Sequence, residues 1–243
     1  MPETLRHRRS SDPCRDLTMA IVLIPGFMLD RDLWSDIAPA LDPFGPLMHA
    51  DPGAGSSIED MARRTLQEAP RSFTLIGFSM GGYVARDIVR IAPERVSRLV
   101  LIATSSRGDS TLQARRKSQA LGTVPETYGG VSRQSIRQSL APAREHDAAL
   151  IARIHAMSVR LGGETFRRQA SFHRDGDTDR LADIGCPTLI VAGRQDRLRS
   201  LDEANELHHG IPRSRLVVLD AGHMIPLEAA GELATVLLDF MGG

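Results

Sequence analysis

The stretch that most constrains this chain is Leu75-Ile76-Gly77-Phe78-Ser79-Met80-Gly81-Gly82. The residues before it, Phe73 to Ile76, form an apolar run of the kind that makes a buried strand. The residues after it place Tyr83, Val84, Ile88 and Ile91 close to helical spacing. A strand that turns at once into a helix around a single residue forces that residue into a strained backbone conformation. Chain must then pass very close to chain, which is why glycine is expected at 77 and 81. Such a turn presents the Ser79 hydroxyl at the carboxyl end of a strand and the amino end of a helix, where free N–H groups and the helix dipole favour negative charge.

The rest of the chain repeats the same grammar. Ala20 to Ile24 is a wholly apolar run that ends at Pro25-Gly26-Phe27-Met28. Asp30 to Leu41 reads as a helix, with Leu33, Trp34, Ile37 and Leu41 on one side, and Trp34 reads as a packing residue. Pro46 to Ala50 is a weaker strand, followed by the loop Asp51 to Ser56 and a helix from Ser57 to about Glu68, with Ser57 as its cap and Asp60 in the capping-box position. Val96 to Ala103, Cys186 to Ala192 and Arg215 to Leu219 read as further strands, with helices at roughly 201–209 and 228–241. Alternating strands and helices predict a parallel sheet covered by helices on both faces, with ligands bound beyond the carboxyl ends of the strands.

Between Ser105 and Leu181 no strand pattern is found. This region reads as helices at about 110–121, 131–140, 145–161 and 163–173, with Gly162-Gly163 ending the third. It holds thirteen basic residues against eight acidic ones. Two readings of that surplus stand: a solvated helical surface, or a bias toward acidic substrates.

The whole chain has 243 residues and a formal net charge of zero, so no global charge points to nucleic acid or a membrane. No apolar run is long enough to span a bilayer. Cys14 and Cys186 sit far apart in different contexts, which predicts no structural disulfide and a reducing, cytoplasmic setting. Residues 1–18 are polar and basic and are expected to be a disordered extension. The domain expectation is therefore a core of residues 19–105 and 182–243 with a helical insert at 106–181. No metal-ligand spacing and no dinucleotide fingerprint is present, so neither a metal nor a cofactor is expected.

Three chemically apt residues fall at strand ends: Ser79, Asp196 in Gly193-Arg194-Gln195-Asp196, and His223 in Asp220-Ala221-Gly222-His223. A serine hydroxyl is a weak nucleophile until an imidazole takes its proton, and the imidazole needs a carboxylate to fix its tautomer. Asp109, after the 96–103 strand, is the main alternative for the acid, ahead of Asp220. An oxyanion needs two aimed N–H groups. The candidates are the backbone of Met80, next after the serine, and of Phe27, in the loop after the first strand.

These pieces together resemble the α/β-hydrolase superfamily, over essentially everything from Ala20 to the end. The matching stretches are Pro25-Gly26-Phe27, Asp51 to Ser56, Gly77 to Gly82, Gly193 to Asp196 and Gly222-His223. Within it, the chain looks like the small esterase and lactonase group, which includes carboxylesterases, 3-oxoadipate enol-lactonase and pimeloyl-carrier methyl esterase. The resemblance implies a cofactor-free serine hydrolase acting on a small ester or lactone, with residues 106–181 as a cap over the site. An enol-lactonase or carbon–carbon bond hydrolase acting on an acidic ring-cleavage product, and a carrier-protein methyl esterase, are the alternatives. Two departures are visible. The family usually has His-Gly where this chain has Pro25-Gly26, and it usually begins with an antiparallel hairpin that residues 1–18 do not resemble. A trimmed sheet of about six parallel strands is therefore expected. Serine rather than aspartate at position 79 argues against a haloalkane dehalogenase.

Overall fold

A computed structural model describes residues 19–122 and 127–242. Cys14 and the expected N-terminal extension lie outside the described residues. Six strands form one sheet: β1 (Ala20–Ile24), β2 (Leu47–His49), β3 (Phe73–Phe78), β4 (Val96–Ile102), β5 (Thr188–Gly193) and β6 (Ser214–Leu219). All neighbours are parallel, in the order β2-β1-β3-β4-β5-β6. The winding reverses between β1 and β3, so their carboxyl ends border the crevice at which an open parallel sheet binds ligand.

Each strand feeds both faces because its side chains alternate. Ile21 and Leu23 join one apolar core, with Leu33, Trp34 and Ile37; Val22 and Ile24 join the other, with Met61, Val84 and Ile88. The helices are α1 (Ala38–Leu41), α2 (Ile58–Glu68), α3 (Met80–Ile91), α4 (Thr111–Gly122), α5 (Arg133–Ser139), α6 (Ala148–Ser171), α7 (Leu201–Gly210), α8 (Ile225–Glu228) and α9 (Ala230–Gly242). Helices α4 to α6 lie between β4 and β5. The two ends of this segment meet: Asp177 N–H donates to Ser106 O at 2.9 Å. It is thus inserted at one place on the sheet.

One expected helix differs in detail. The single helix at 30–41 is a 3-10 helix, Arg31–Trp34, followed by the short α1. Pro39 has no N–H to bond Ser35 and so breaks a continuous ladder. The Asp32 carbonyl, which accepts from Ser35 N–H and Oγ in the 3-10 turn, also accepts from Arg153 Nη2 at 2.9 Å. Gly162 ends a helix as expected: at φ 76° and ψ 172° it is non-helical and parts α6 into two helical pieces. The second piece is fastened to the loop after β2, since Arg168 and Gln169 donate to Gly53 O and Pro52 O. The expected helix at 228–241 is α9, Ala230–Gly242, and the short α8 before it parts from it at Ala229 (φ −134°, ψ 45°). Among the described residues no helix is long and apolar enough to cross a membrane.

Candidate active site

The turn at Ser79 is as strained as its sequence predicts. Ser79 has φ 52° and ψ −111°, outside the comfortable range of a side-chain-bearing residue. Its backbone is over-determined: Ser79 N–H donates to Ile102 O at 2.9 Å, and Ser79 O accepts from Gly82 N–H at 3.0 Å and from Thr104 Oγ1 at 2.7 Å. A Cβ on Gly77 would stand 2.5 Å from Gly81 O, and one on Gly81 would stand 2.3 Å from Ile24 O. Neither position has room for a side chain, which is the physical content of the two glycines. Two other non-glycine residues with positive φ, Met28 (55°) and Ala103 (47°), follow β1 and β4, so backbone strain is gathered at this edge of the sheet.

Ser79, Asp196 and His223 are brought together from the ends of β3, β5 and β6. His223 Nε2 lies 3.0 Å from Ser79 Oγ, and His223 Nδ1 lies 2.8 Å from Asp196 Oδ2. The other oxygen of Asp196 accepts from the backbone N–H groups of Leu198 and Arg199 at 2.7 and 2.9 Å. The carboxylate is therefore fully held, and its side chain is 1% exposed. The Phe78 ring packs 5.2 Å from the imidazole, centroid to centroid. The rival acids are elsewhere. Asp220 accepts from Gln195 Nε2 at 2.6 Å, and Asp109 is bonded to Lys117 and Arg174.

Neither Phe27 nor Met80 gives its backbone N–H to a protein acceptor among the described residues, and both residues line the cavity that contains Ser79. That cavity has a volume of about 830 Å³. Phe27 reaches out from the β1 loop to meet Phe166 of α6 edge-on at 5.5 Å. Trp34 is fully buried and does not line the cavity, as its packing role requires. Among the described residues no group of histidine, cysteine and carboxylate side chains is placed to hold a metal.

Two polar residues that sequence reasoning did not single out tie the insert to this edge. Gln169, 2% exposed, accepts from Met28 N–H at 2.8 Å and donates to Pro52 O at 2.7 Å. It thereby fixes the loop that carries Phe27. Glu228 accepts from Met224 N–H at 3.0 Å and from Ala141 N–H at 2.7 Å, while His223 N–H donates to Ser139 O at 2.8 Å. The histidine loop is thus pinned to the segment after α5. A glutamine in a helix and a glutamate at the end of a short one carry no local signature, so only the tertiary structure reveals either.

The family model described as alpha/beta hydrolase fold matches residues 57–230. A pimeloyl-[acyl-carrier protein] methyl ester esterase of Photobacterium profundum is 29% identical over 239 residues, covering 91% of this chain and 94% of that protein. Two solved structures share the fold: a thermophilic esterase from Thermogutta terrifontis (TM-score 0.80, 24% identity, 92% of this chain and 89% of the other) and an enol-lactonase from Burkholderia xenovorans (TM-score 0.78, 20% identity, 93% and 92%). The matched span runs from the helix before Ser79 to beyond His223, more than half of the sequence, and the chain therefore belongs to the alpha/beta hydrolase fold family.

Proposed function

We propose that this chain hydrolyses a small carboxylic ester through an acyl-enzyme formed on Ser79. The observation that carries the reading is the unbroken line from Ser79 Oγ through the His223 ring to the buried Asp196 carboxylate. In this reading His223 accepts the serine proton as the Oγ–carbonyl bond forms, then gives it to the departing alkoxide. A water attacks the acyl-enzyme by the same route in reverse and frees the acid. Asp196 orients the imidazole and balances its charge. The Phe27 and Met80 N–H groups hold the oxyanion. Both donors are backbone groups, so the change from histidine to proline at position 25 leaves them in place. Residues 106–181 act as the cap, supplying the Tyr128, Ile136, Ile154 and Phe166 side of the cavity.

Trapping tests the acyl-enzyme. Treatment with diethyl p-nitrophenyl phosphate forms a bond between Ser79 Oγ and phosphorus and releases p-nitrophenolate. Intact mass should rise by one diethylphosphoryl group, with the adduct in the peptide containing Ser79. An unmodified chain, or an adduct on another residue, would count against the proposal.

A second reading, a methyl esterase acting on a carrier-bound acyl chain, is favoured by the likeness to the Photobacterium pimeloyl-[acyl-carrier protein] methyl ester esterase. It predicts faster release of methanol from a carrier-bound methyl ester than from the free one. An enol-lactonase or carbon–carbon hydrolase keeps the same residues and differs in the bond presented to them.

The oxyanion loop supplies a further prediction. Gln169→Leu removes the acceptor of Met28 N–H, beside Phe27, and leaves that donor buried. Loss of such a partner costs about 1–3 kcal/mol of stability, and a small displacement of an oxyanion donor costs roughly 10- to 100-fold in kcat. Assays of p-nitrophenyl acetate alongside thermal denaturation should show kcat falling with KM little changed. A variant that is only less stable, with full kcat, would show that Gln169 does not position the loop.

A further inference from the structure

The cavity over Ser79 is apolar in much of its wall, with Met28, Leu29, Ile136 and Ile154 among its residues, yet three cationic side chains also line it: Lys117, Arg174 and Arg199. No aspartate or glutamate does so among the described residues. The carboxylates that pair with these cations sit behind the wall. Asp109, 3% exposed at its side chain, accepts from Lys117 Nζ at 2.5 Å and from Arg174 Nε at 2.9 Å. Glu203 accepts from Arg199 Nη1 at 3.1 Å. Three cations thus face two carboxylates, and the basic neighbours have acids of their own: Asp177 and Asp87 for Arg86 and Arg90, and Glu206 for Arg107. The charged side chains that line the cavity are thus cationic, and their carboxylate partners are set behind the wall.

Among the described residues the existing bonds do not exhaust the donors. Lys117 has three N–H groups and gives two of them, to Asp109 and Phe172 O. Of the five in Arg199, the side chain gives one to Glu203. The group is also built into the catalytic framework. The Arg174 and Arg199 guanidinium carbons lie 5.6 and 5.9 Å from the Tyr83 ring centroid, and Tyr83 is one turn along α3 from Ser79. Arg199 is three residues past Asp196 and bonds that carboxylate through its backbone N–H. Unused donors on side chains only 22%, 16% and 11% exposed see little water and are placed to meet an anion that enters the cavity.

The insert's basic surplus supports the same assignment. Arg153 and Arg160 are consumed by Asp30, Asp32 and Asp36 of the core, where they fasten the insert down. Lys117 and Arg174 are instead in the cavity wall.

We infer that Lys117, Arg174 and Arg199 form an anion subsite inside this cavity, and that the substrate is an ester whose acyl chain ends in a carboxylate across an apolar spacer. The inference rests on the proposal that Ser79 attacks an ester. Because these cations are already paired with carboxylates behind the wall, a monoanionic carboxylate suits the site better than a doubly charged phosphate, and guanidinium N–H groups match carboxylate oxygens in pairs.

The test compares p-nitrophenyl esters matched in length: the hexanoate, the adipate half-ester and the 5-phosphonopentanoate. The adipyl ester should be favoured in kcat/KM by about tenfold or more, the contribution of one charge-assisted contact. That ratio should fall toward one in Arg174→Met, Arg199→Met and Lys117→Met. A wild-type ratio of one or less, or a ratio unmoved by all three substitutions, would overturn the subsite. A phosphonate preferred over the carboxylate would overturn the choice of anion. If wild type turns over none of these esters, it is the serine-esterase reading that fails. The subsite is then decided by calorimetry on Ser79→Ala, where monomethyl adipate should bind tighter than methyl hexanoate and equal affinities would refute it.

Discussion

Ser79→Ala and His223→Ala should each lower kcat for ester hydrolysis by about 10⁴-fold or more, and the double variant should be scarcely worse than either single one. The near-equality follows from the geometry. The imidazole nitrogen 3.0 Å from Ser79 Oγ has no role without the hydroxyl, and the hydroxyl is a poor nucleophile without the base. Asp196→Ala should cost less, because the serine and imidazole remain and the backbone donors are intact. It should cost more than a surface change, because it leaves Nδ1 of a histidine that is 6% exposed facing an unfilled space, with no group to fix its tautomer. Asp109→Ala serves as the control. It was the rival acid by sequence, and its carboxylate is committed to Lys117 and Arg174. It should leave kcat on a neutral ester within about tenfold of wild type. Steady-state kinetics on p-nitrophenyl butyrate separates these cases. A histidine variant retaining a tenth of the wild-type rate would remove His223 from the mechanism.

The parts of the molecule legible in the sequence are those fixed by local rules. A five-residue apolar run such as Ala20–Ile24, short and closed by Pro25-Gly26, reads as a buried strand, and its bounds in the structure are the expected ones. The Gly77 and Gly81 requirement is a matter of atoms that would overlap. Strand-helix alternation then gave the parallel sheet, and with it the shared edge at which Ser79, Asp196 and His223 lie. The helix at 30–41 was misread because apolar spacing was weighed without Pro39. The stop at Gly162 was legible from the glycine pair that follows the apolar stripe, whereas the anchors of the helical piece after it, Arg168 and Gln169, have partners more than a hundred residues away.

The same limit applies to the chemistry around the site. Periodicity says which face of a helix is apolar but not which neighbour it meets. Nothing in the sequence joins Arg153 to Asp32 and Asp36, or Arg160 to Asp30, across more than a hundred residues. Net charge could register the surplus of the insert, yet it could not divide that surplus between fastening pairs and the cavity wall. Lys117, Arg174 and Arg199 converge only because α4, the end of the insert and the loop after β5 meet over Tyr83.

Asp177→Ala should destabilise the protein by about 3–5 kcal/mol, the usual consequence of stranding a buried charge. The charge is Arg86, whose side chain is 0% exposed in the middle of α3. Asp177 receives Arg86 Nε at 2.7 Å and Nη2 at 3.0 Å, and also Arg90 Nη1 at 2.7 Å. Arg86 would retain Gly82 O and Ser105 O but lose the neutralising partner. In a domain of this size the change corresponds to a fall in Tm of roughly 6–20 °C. Arg86→Met with Asp177→Leu should recover much of the loss, because a buried pair replaced whole by apolar groups is often nearly neutral. A double variant as unstable as the single one would show that the effect is not electrostatic. The pH dependence has a definite sign. Burial pushes the Asp177 carboxyl up, but Arg86 and Arg90 more than offset this and hold it below the usual value. Its contribution is therefore complete above the unfolded pKa, about 4, and drains away as pH falls through the lower folded value. The stability gap between wild type and Asp177→Ala should be widest near neutrality and close in strong acid. Since Asp177 stands where the chain returns from the insert and Arg86 lies two turns from Ser79 on α3, this one pair also joins the insert to the helix that presents the serine.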